Sequence, residues 1–418
     1  MNETYIAVAT PFFFLLIVVE LIVSRVQAKP RYRLRDSITN LSCGAGEQAI
    51  LPFLKAATLG GYIVVHQHRL FSISSASVVG WVAILLGVDF FYYWFHRASH
   101  RVNFIWATHV VHHQSEEYNL AVALRQSWFY KLVEWVFYLP LAAFGFPPEM
   151  FLAMITINTI GQFWIHTRAV GKLGPLEWII NTPSSHRVHH GTNPKYVDKN
   201  YAGLFIVWDR MFGTFQAEEE EPVYGTVKPL ASFNPLWANV HYWIELAQMA
   251  KAATSVGDKV KVWFAPPEWR PSNLGGHVTI PEASRETQRK YDVSPPRAIN
   301  AYVAVQIGIA GAVITAMNQM HSRVPEAALA ALTLIVLVGL VTLGALLEGK
   351  RWAAPLELTR LVALPPALGW LSAGTSLFAP VTAAACVSSV VFGAWVLVSP
   401  PARADAAAAA TARPTSKS

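Results

Sequence analysis

Three short histidine clusters are the part of the sequence with the clearest capacity for chemistry. They read HRASH at 96–100, HVVHH at 109–113 and HRVHH at 186–190. Their histidines are His96, His100, His109, His112, His113, His186, His189 and His190. Spacings of three and four residues put side chains on one face of a helix, so each cluster can present several imidazoles in one direction. Imidazole binds iron, copper, nickel and zinc, and eight such ligands are too many for one ion, which indicates two metal ions.

The residue types that are missing from these clusters narrow the chemistry. Soluble di-iron bundles use Glu-x-x-His pairs, and the clusters contain none. The H-E-x-x-H motif of zinc metalloproteases, with its glutamate base, is also absent. At the mouth of a membrane bundle, which the apolar composition indicates, a two-metal, all-histidine site favours oxygen activation on a lipid, because unreactive C–H bonds need a metal-based oxidant rather than acid–base catalysis. Polar surface histidines are the competing interpretation, and we assign it to His66, His68, His277 and His321.

The composition indicates a membrane protein. The 418 residues are 53% hydrophobic and 14% charged, and the mean hydropathy is +0.33, which is too apolar for an ordinary soluble domain. The net charge of +7 is not gathered into one basic stripe, so we predict no nucleic-acid partner. Nine stretches are candidate membrane spans: 6–23, 48–65, 76–95, 128–146, 148–165, 299–318, 325–347, 355–372 and 376–398. For 128–165, a shallow hairpin turning at Gly145–Pro148 is an alternative to two crossings.

The distribution of basic residues predicts the orientation. Five lysines and arginines lie between Arg25 and Arg35, whereas the loops at 66–75 and 143–149 carry one basic residue and none. By the positive-inside rule the loop after the first span is cytosolic. Counting crossings from there places residues 96–127 and 166–298 on the same side. The predicted fold is therefore an all-α integral membrane protein, a multi-span helical bundle with a cytosolic, histidine-rich di-metal cap.

The chain divides by composition into five predicted segments. They are N-terminal spans at 1–75, a histidine-bearing domain at 76–215, a cytosolic cap with interfacial helices at 216–298, C-terminal spans at 299–399 and a disordered tail at 400–418. The acidic run Glu218–Glu221 within the cap is interpreted as a solvated loop, with docking of a redox partner as the alternative.

Longer motifs around the histidines carry a family resemblance. The stretches are YYWFHRASH, HHQSEEYNLAVALRQS, QFWIHTRAVGKLGPLEWIINTPSSHRVHHG and DKNYAGLFIVWDRMFGTF, within residues 89–215. They resemble the fatty acid hydroxylase and sterol desaturase superfamily, and within it the alkylglycerol monooxygenase family. The resemblance implies that the eight clustered histidines bind two iron ions. It also implies a ninth ligand, His166 in QFWIHT, for which a structural core histidine is the rival interpretation.

Two positions depart from the pattern of that family. Arg101 stands where the family has glutamate, and Ser185 where it tends to have histidine. The family uses tetrahydrobiopterin as its reductant. The reversed charge at Arg101 predicts that pterin use is altered or lost.

Five further residues are predicted to support the histidines. Asp89 lies two helical turns before His96 and is predicted to orient a ligand imidazole; its alternative role is a charge near a helix end. The residues after the second cluster are predicted to line the site or fix its loop, with ordinary helix-surface positions as the alternative. They are Glu116, Asn119, Arg125 and Gln126.

These observations together predict a membrane-bound, non-haem di-iron monooxygenase. It would use O2 and two electrons, from a pterin or a redox protein, to hydroxylate a lipid; with an alkylglycerol, the product would lose its ether bond. A sterol, hopanoid or fatty acyl hydroxylase or desaturase is the alternative within the superfamily. A histidine-rich metal transporter or sensor, and a zinc hydrolase, are alternatives of other classes. The predicted location is the bacterial inner membrane or the endoplasmic reticulum, with the site on the cytosolic side.

Overall fold

A computed structural model describes residues 2–320 and 324–399, in which the regular secondary structure consists of helices joined by loops. Strands are absent from the described residues, where β-pairing is limited to the isolated bridges Gly191–Tyr224 and Trp269–His277. The α-helices are α1 (Asn2–Val26), α2 (Leu34–Gln67), α3 (Val78–Arg101), α4 (Asn103–His113), α5 (Lys131–Phe137), α6 (Leu139–Phe144), α7 (Pro148–Gly161), α8 (Pro183–His189), α9 (Val207–Met211), α10 (Pro235–Ala252), α11 (Val256–Phe264), α12 (Arg297–Met320), α13 (Glu326–Leu347), α14 (Ala353–Ser372) and α15 (Phe378–Val398). His321 and the predicted tail at 400–418 lie outside the described residues.

Four of these helices are long and apolar enough to cross a bilayer, namely α3, α12, α13 and α15. A fifth candidate is α2 if its two halves, which meet at a bend of 40°, form one broken span. A bilayer core of about 30 Å needs about 20 apolar residues in a helix, and the four helices have 21 to 24. The predicted multi-span helical membrane protein is confirmed.

One predicted span belongs to a much longer helix in the structure. The stretch at 48–65 belongs to α2, which begins 14 residues earlier, at Leu34, and is 34 residues long. Its first half is polar and contains no long apolar run. There the buried Asp36 and Asn40 accept hydrogen bonds from Ser115 and Arg125, and these tertiary contacts add to the burial of Ile38 and Cys43.

The stretch at 128–165 forms three short helices, α5 to α7, rather than two crossings. The longest, α7, has 14 residues, or about 21 Å at 1.5 Å per residue, which is shorter than the bilayer core. The chain reverses at Gly145, whose φ of 105° and close approach to the Phe71 carbonyl exclude a side chain. The shallow hairpin is the better description.

The helices form two compact units. One consists of residues 1–230 and 237–290 and contains all three histidine clusters; the other is built from residues 231–236 and the helices after residue 291. In the first unit, α10 and α11 of the predicted cap pack on α4. Val262 and Leu246 join Val110 in a small core, flanked by the partly buried Trp243 and Trp263. These tryptophans pack against protein side chains.

Candidate metal centre

The first two clusters lie on consecutive helices that meet at a sharp turn. His96 and His100 occupy the last turns of α3, which ends at Arg101, and α4 begins two residues later. Asn103 holds this turn: its side-chain amide donates to the Val262 carbonyl at 2.8 Å, and its oxygen accepts from the Tyr242 hydroxyl at 2.5 Å. The turn aims the histidines of both helices at one volume.

The third cluster lies on α8, a helix of seven residues. Thr182 begins it through a capping box in which the Ser185 hydroxyl accepts from the Thr182 backbone N–H at 3.1 Å. Ser185, where the resemblance implies histidine, therefore serves the start of the helix that carries His186.

The structure brings all nine predicted histidines into two adjacent groups. The ligand nitrogens within each group lie within 4.8 Å of one another. One group consists of His96, His100, His109, His113 and His189; the other consists of His112, His166, His186 and His190. Each group combines side chains from separate parts of the sequence. His166, which lies in no cluster, joins the second group, with its Nε2 3.0 Å from the Nε2 of His186.

Backbone carbonyls fix the tautomer of four of these imidazoles. The Nδ1 atoms of His96 and His189 lie 2.7 and 3.0 Å from the carbonyls of Tyr201 and Lys199. Those of His112 and His166 lie 3.0 and 2.8 Å from the carbonyls of Arg125 and Gln162. A carbonyl only accepts, so each Nδ1 carries the proton and donates it. In the neutral ring, Nε2 then carries no proton and presents its lone pair.

The lone pairs face one another. The Nε2 atoms of His112 and His166 are 3.1 Å apart, and each of these rings has its proton on Nδ1. Burial lowers the pKa of His112 to about 4, and it lowers the pKa of His166 well below the ordinary range, so both rings are neutral at pH 7. Two lone pairs at this separation repel, and a cation between them turns that repulsion into coordination.

Unpaired nitrogens support the same interpretation. His100 Nε2, His190 Nε2 and His186 Nδ1 are buried and have no hydrogen-bond partner among the described residues. All nine imidazoles are buried, with exposed fractions from 1% to 8%. Buried polar atoms without partners are costly, and a bound metal would satisfy the Nε2 atoms of His100 and His190. The donor set, neutral imidazoles converging in two groups, thus fits two transition-metal ions.

Comparison with known proteins agrees with this geometry. A family model described as fatty acid hydroxylase matches residues 81–214, a stretch that contains all nine histidines. Human alkylglycerol monooxygenase is 39% identical over 360 residues, which cover 85% of this chain and 80% of the human protein. The chain belongs to the fatty acid hydroxylase family. Family membership and the histidine groups together suggest iron binding and support lipid hydroxylation.

Other relatives cover different shares of the chain. The alkylglycerol monooxygenase of Xenopus tropicalis is 38% identical over 359 residues, 85% of this chain and 80% of that protein. The ornithine lipid hydroxylase OlsE of Rhizobium tropici is 27% identical over 140 residues, 32% of this chain and 41% of that protein. No solved structure shows significant similarity to the chain.

Among the residues after the second cluster, Arg125 makes the most contacts beside the histidine groups. It is buried, and it donates to the Val111 carbonyl at 2.6 Å and to Gln114 Oε1 at 2.8 Å. Its own carbonyl accepts from His112. Arg125 therefore fixes both the end of α4 and one imidazole.

The other three residues lie farther from the imidazoles. Asn119 donates to the Arg31 carbonyl at 2.8 Å, and Glu116 pairs with Arg33 at 3.3 Å. Both tie the loop after the second cluster to the basic segment that follows α1. Gln126 donates to the Ala123 carbonyl at 3.2 Å, a local contact.

Asp89 acts on a loop, and not on an imidazole as we had predicted. Its Oδ1 accepts from Asn158 and from the Leu204 N–H, and its Oδ2 from the Phe205 N–H and Trp208 Nε1, at 2.6 to 3.0 Å. The four bonds use both oxygens and hold the chain just after Tyr201. The effect of Asp89 on His96 therefore passes through the backbone that orients that ring.

Sequence reasoning missed two further residues that hold the loop around Tyr201. Asp209 accepts from the N–H groups of Tyr201 and Ala202, both at 2.8 Å, and so sets the direction of the Tyr201 carbonyl. Asn200 donates to the Ser185 carbonyl at 2.9 Å and thereby joins this loop to α8. Both lie in the family motif DKNYAGLFIVWDRMFGTF, which was the available signal.

Arg101 lies at the edge of the first group. It pairs with Asp198 and, at 2.9 Å, with Glu268 of the cap. Asp198 in turn lies 3.8 Å from His100 Nδ1. The arginine thus balances two carboxylates next to a histidine of the site. The exposed His68 and His277 belong to neither group, as predicted for surface histidines.

Proposed function

We propose that this member of the fatty acid hydroxylase family is a membrane-bound di-iron monooxygenase that hydroxylates a lipid C–H bond. The observation that carries the proposal is the pair of converging imidazole groups, buried and neutral, whose lone pairs face one another. The similarity to alkylglycerol monooxygenases supports the same reaction.

In this proposal each group holds one iron ion. His96, His100, His109, His113 and His189 hold the first, and His112, His166, His186 and His190 hold the second. Bound iron would supply the oxidising power to insert one atom of O2 into a C–H bond, while two electrons and two protons convert the other atom to water. The two ligand groups support the number of ions in this proposal, and the family supports iron as the metal.

The protein's own residues prepare the site in two ways. The carbonyls of Lys199, Tyr201, Arg125 and Gln162 hold four rings with Nε2 turned inward, which orients ligands and increases their basicity. The packing of α10 and α11 on α4 keeps water from the imidazoles. Both effects favour a reaction in which a reactive oxidant meets only its substrate.

An alkylglycerol ether is the substrate that the similarity supports best. Hydroxylation of the carbon beside the ether oxygen gives a hemiacetal, which breaks into an aldehyde and a glycerol derivative. A sterol, hopanoid or fatty acyl substrate needs the same oxidant, and desaturation differs by a second hydrogen abstraction. The hydroxylation of a lipid by the more distant relative OlsE agrees with the broader class.

The basic segment after α1 contacts the loop that follows the second histidine cluster. Arg33 pairs with Glu117 at 2.8 Å, and the Arg31 carbonyl accepts from Asn119. Since basic loops stay in the cytosol, we propose a cytosolic active site. Cysteines introduced at Arg33 and at Gln216 should both be shielded from an impermeant reagent in intact cells. Labelling at Gln216 alone would contradict this placement.

Lipid mass spectrometry under 18O2 tests the function. Cells with the protein should form one 18O-labelled lipid product, or a labelled aldehyde, that is missing from cells with the His112→Ala variant. Iron content of the purified protein should be near two per chain in the parent and lower in the variant. A protein that binds metal, yet forms no oxygenated lipid with pterin or redox-protein donors, would be a metal transporter or sensor instead.

A further inference from the structure

A cavity of ≈ 550 Å³ opens beside the histidine site, in the first unit, where the chain leaves α1. The volume is in the range of small-ligand pockets. Five of its lining residues are cations: Lys29, Arg31, Arg168, Arg187 and Arg285. Two are anions, Glu218 and Glu221, so the wall carries an excess of three positive charges.

The two carboxylates are fully engaged with three of the arginines. Glu218 makes a bidentate pair with Arg187 at 2.7 and 2.6 Å. Glu221 pairs with Arg168 at 2.5 Å and with Arg285. Half of the acidic run that we had interpreted as a solvated loop is therefore part of this wall.

Arg31 has no such partner. Its exposed fraction is 4%, and its guanidinium donates only to neutral groups, Ser24 Oγ at 3.2 Å and Gln27 Oε1 at 2.6 Å. In the described residues no carboxylate lies within ion-pair distance of it. A buried charge without a counter-charge is costly. Arg168 Nε is also buried without a hydrogen-bond partner among the described residues.

The position of the cavity points to the membrane surface. Its rim is formed by Ala28–Arg31, directly after the apolar helix α1, and Lys29 is exposed there. Basic residues at the end of an apolar helix lie at the level of lipid headgroups. Guanidinium groups match the geometry of phosphate oxygens, which accept two hydrogen bonds from one side chain.

We propose that this cavity binds the phosphate group of an anionic phospholipid. The phosphate supplies the negative charge that Arg31 and Lys29 lack, and Arg168 Nε gains an acceptor. Arg187 follows His186 on α8, so the bound lipid lies beside the helix of the third histidine cluster. This binding needs neither metal nor turnover, so it stands or falls separately from the proposed oxygenase activity.

Lipid selectivity of the full-length protein in nanodiscs tests the proposal. We would measure the association of spin-labelled phosphatidylglycerol and spin-labelled phosphatidylcholine by electron paramagnetic resonance. The parent protein should prefer the anionic lipid. Lys29→Gln and Arg31→Gln should each reduce that preference about fivefold, the typical contribution of one basic residue near the surface. Lys259→Gln removes an exposed charge elsewhere and should leave the preference unchanged.

Two further measurements distinguish a lipid headgroup from free phosphate and a binding defect from misfolding. Lys29 is exposed, so its variant will fold even if Arg31→Gln does not. Displacement of the labelled lipid by millimolar inorganic phosphate supports a site for the phosphate group alone; resistance to it supports a site for the whole headgroup. Equal lipid preference in the parent and both cavity variants overturns the proposal, and so does an equal loss in Lys259→Gln.

Discussion

The protein buries two dense polar clusters that differ in whether their hydrogen-bonding groups have partners within the protein. In the second unit, Glu357 accepts hydrogen bonds from Tyr302, Thr342 and Arg360, at 2.5 to 2.8 Å. These donors come from α12, α13 and α14, and they satisfy both carboxylate oxygens with charge balanced inside the protein. In the histidine site, neutral nitrogens face one another and three have no partner among the described residues. The first cluster is complete as folded, and the second needs a cation.

Buried polar groups can therefore serve two purposes: joining helices and binding an ion. A satisfied ion pair joins helices at a place where apolar side chains would also pack. A cluster of facing acceptors repels itself and contributes binding energy only when an ion arrives. Buried polar atoms therefore join helices in one unit and prepare the other for ligand binding.

The largest effect should come from breaking the complete cluster. Glu357→Leu leaves the Arg360 guanidinium buried without its counter-charge, which should cost about 3–5 kcal/mol of unfolding free energy. The double variant Glu357→Leu/Arg360→Met removes both charges and should recover most of that loss. Unfolding in detergent, followed by circular dichroism, measures both. A double variant as unstable as the single one would contradict the ion-pair explanation.

Removing one of the facing histidine acceptors should not destabilise the metal-free protein, in contrast to Glu357→Leu. His166→Ala should lower iron content and reduce turnover by about 100-fold or more, because an incomplete ligand set changes the metal's geometry. Without metal, the variant should be at least as stable as the parent, since the repulsion with His112 is gone. His68→Ala is the matched control and should keep iron and turnover. Full iron and turnover in His166→Ala would make His166 a structural core residue.

A smaller loss is expected from a residue that acts through the backbone. Asp209→Asn weakens the hold on the Tyr201 carbonyl and hence on the His96 ring, which should reduce iron affinity about tenfold. The stability of the metal-free form should change little by comparison. Asp258→Asn, near the start of α11, is the control. Unchanged iron affinity together with a large loss of stability would show that Asp209 has only a structural role.

The smallest effect should follow exchange of the charge at Arg101. Its two ion pairs are partly exposed, and such pairs contribute about 0.2–1 kcal/mol each. Arg101→Glu alone gathers three carboxylates, so we would combine it with Glu268→Arg to keep opposite charges adjacent. If position 101 decides the reductant, the exchanged protein gains turnover with tetrahydrobiopterin. Strong pterin-dependent turnover in the parent would show that Arg101 is irrelevant.

The sequence was sufficient to predict the features that depend on residue spacing and on apolar runs. The three clusters and the spans of α3, α12, α13 and α15 followed from repeats of three to four residues and from apolar runs. His166 was predicted as a ligand from the family motif alone, because a single histidine has no neighbouring histidine at helical spacing.

The carbonyls that orient the rings were beyond sequence reasoning. Every residue carries a carbonyl, so no residue type distinguishes Lys199 or Tyr201 as the partner of a histidine. The early start of α2 was missed for a related reason. Its polar first half is stabilised in part by a hydrogen bond from Arg125 to Asn40, 85 residues apart in the chain.

The enclosure of the imidazoles also constrains how the enzyme matures. With the nine rings at most 8% exposed and α11 fixed to the turn before α4 through Asn103, the folded protein leaves the histidine nitrogens little contact with solvent. A metal ion would therefore enter most easily during synthesis, before the cap docks, or during rare openings of that contact. We therefore expect loading to be set by the order of folding events in the cell, and metal exchange in the mature enzyme to be slow.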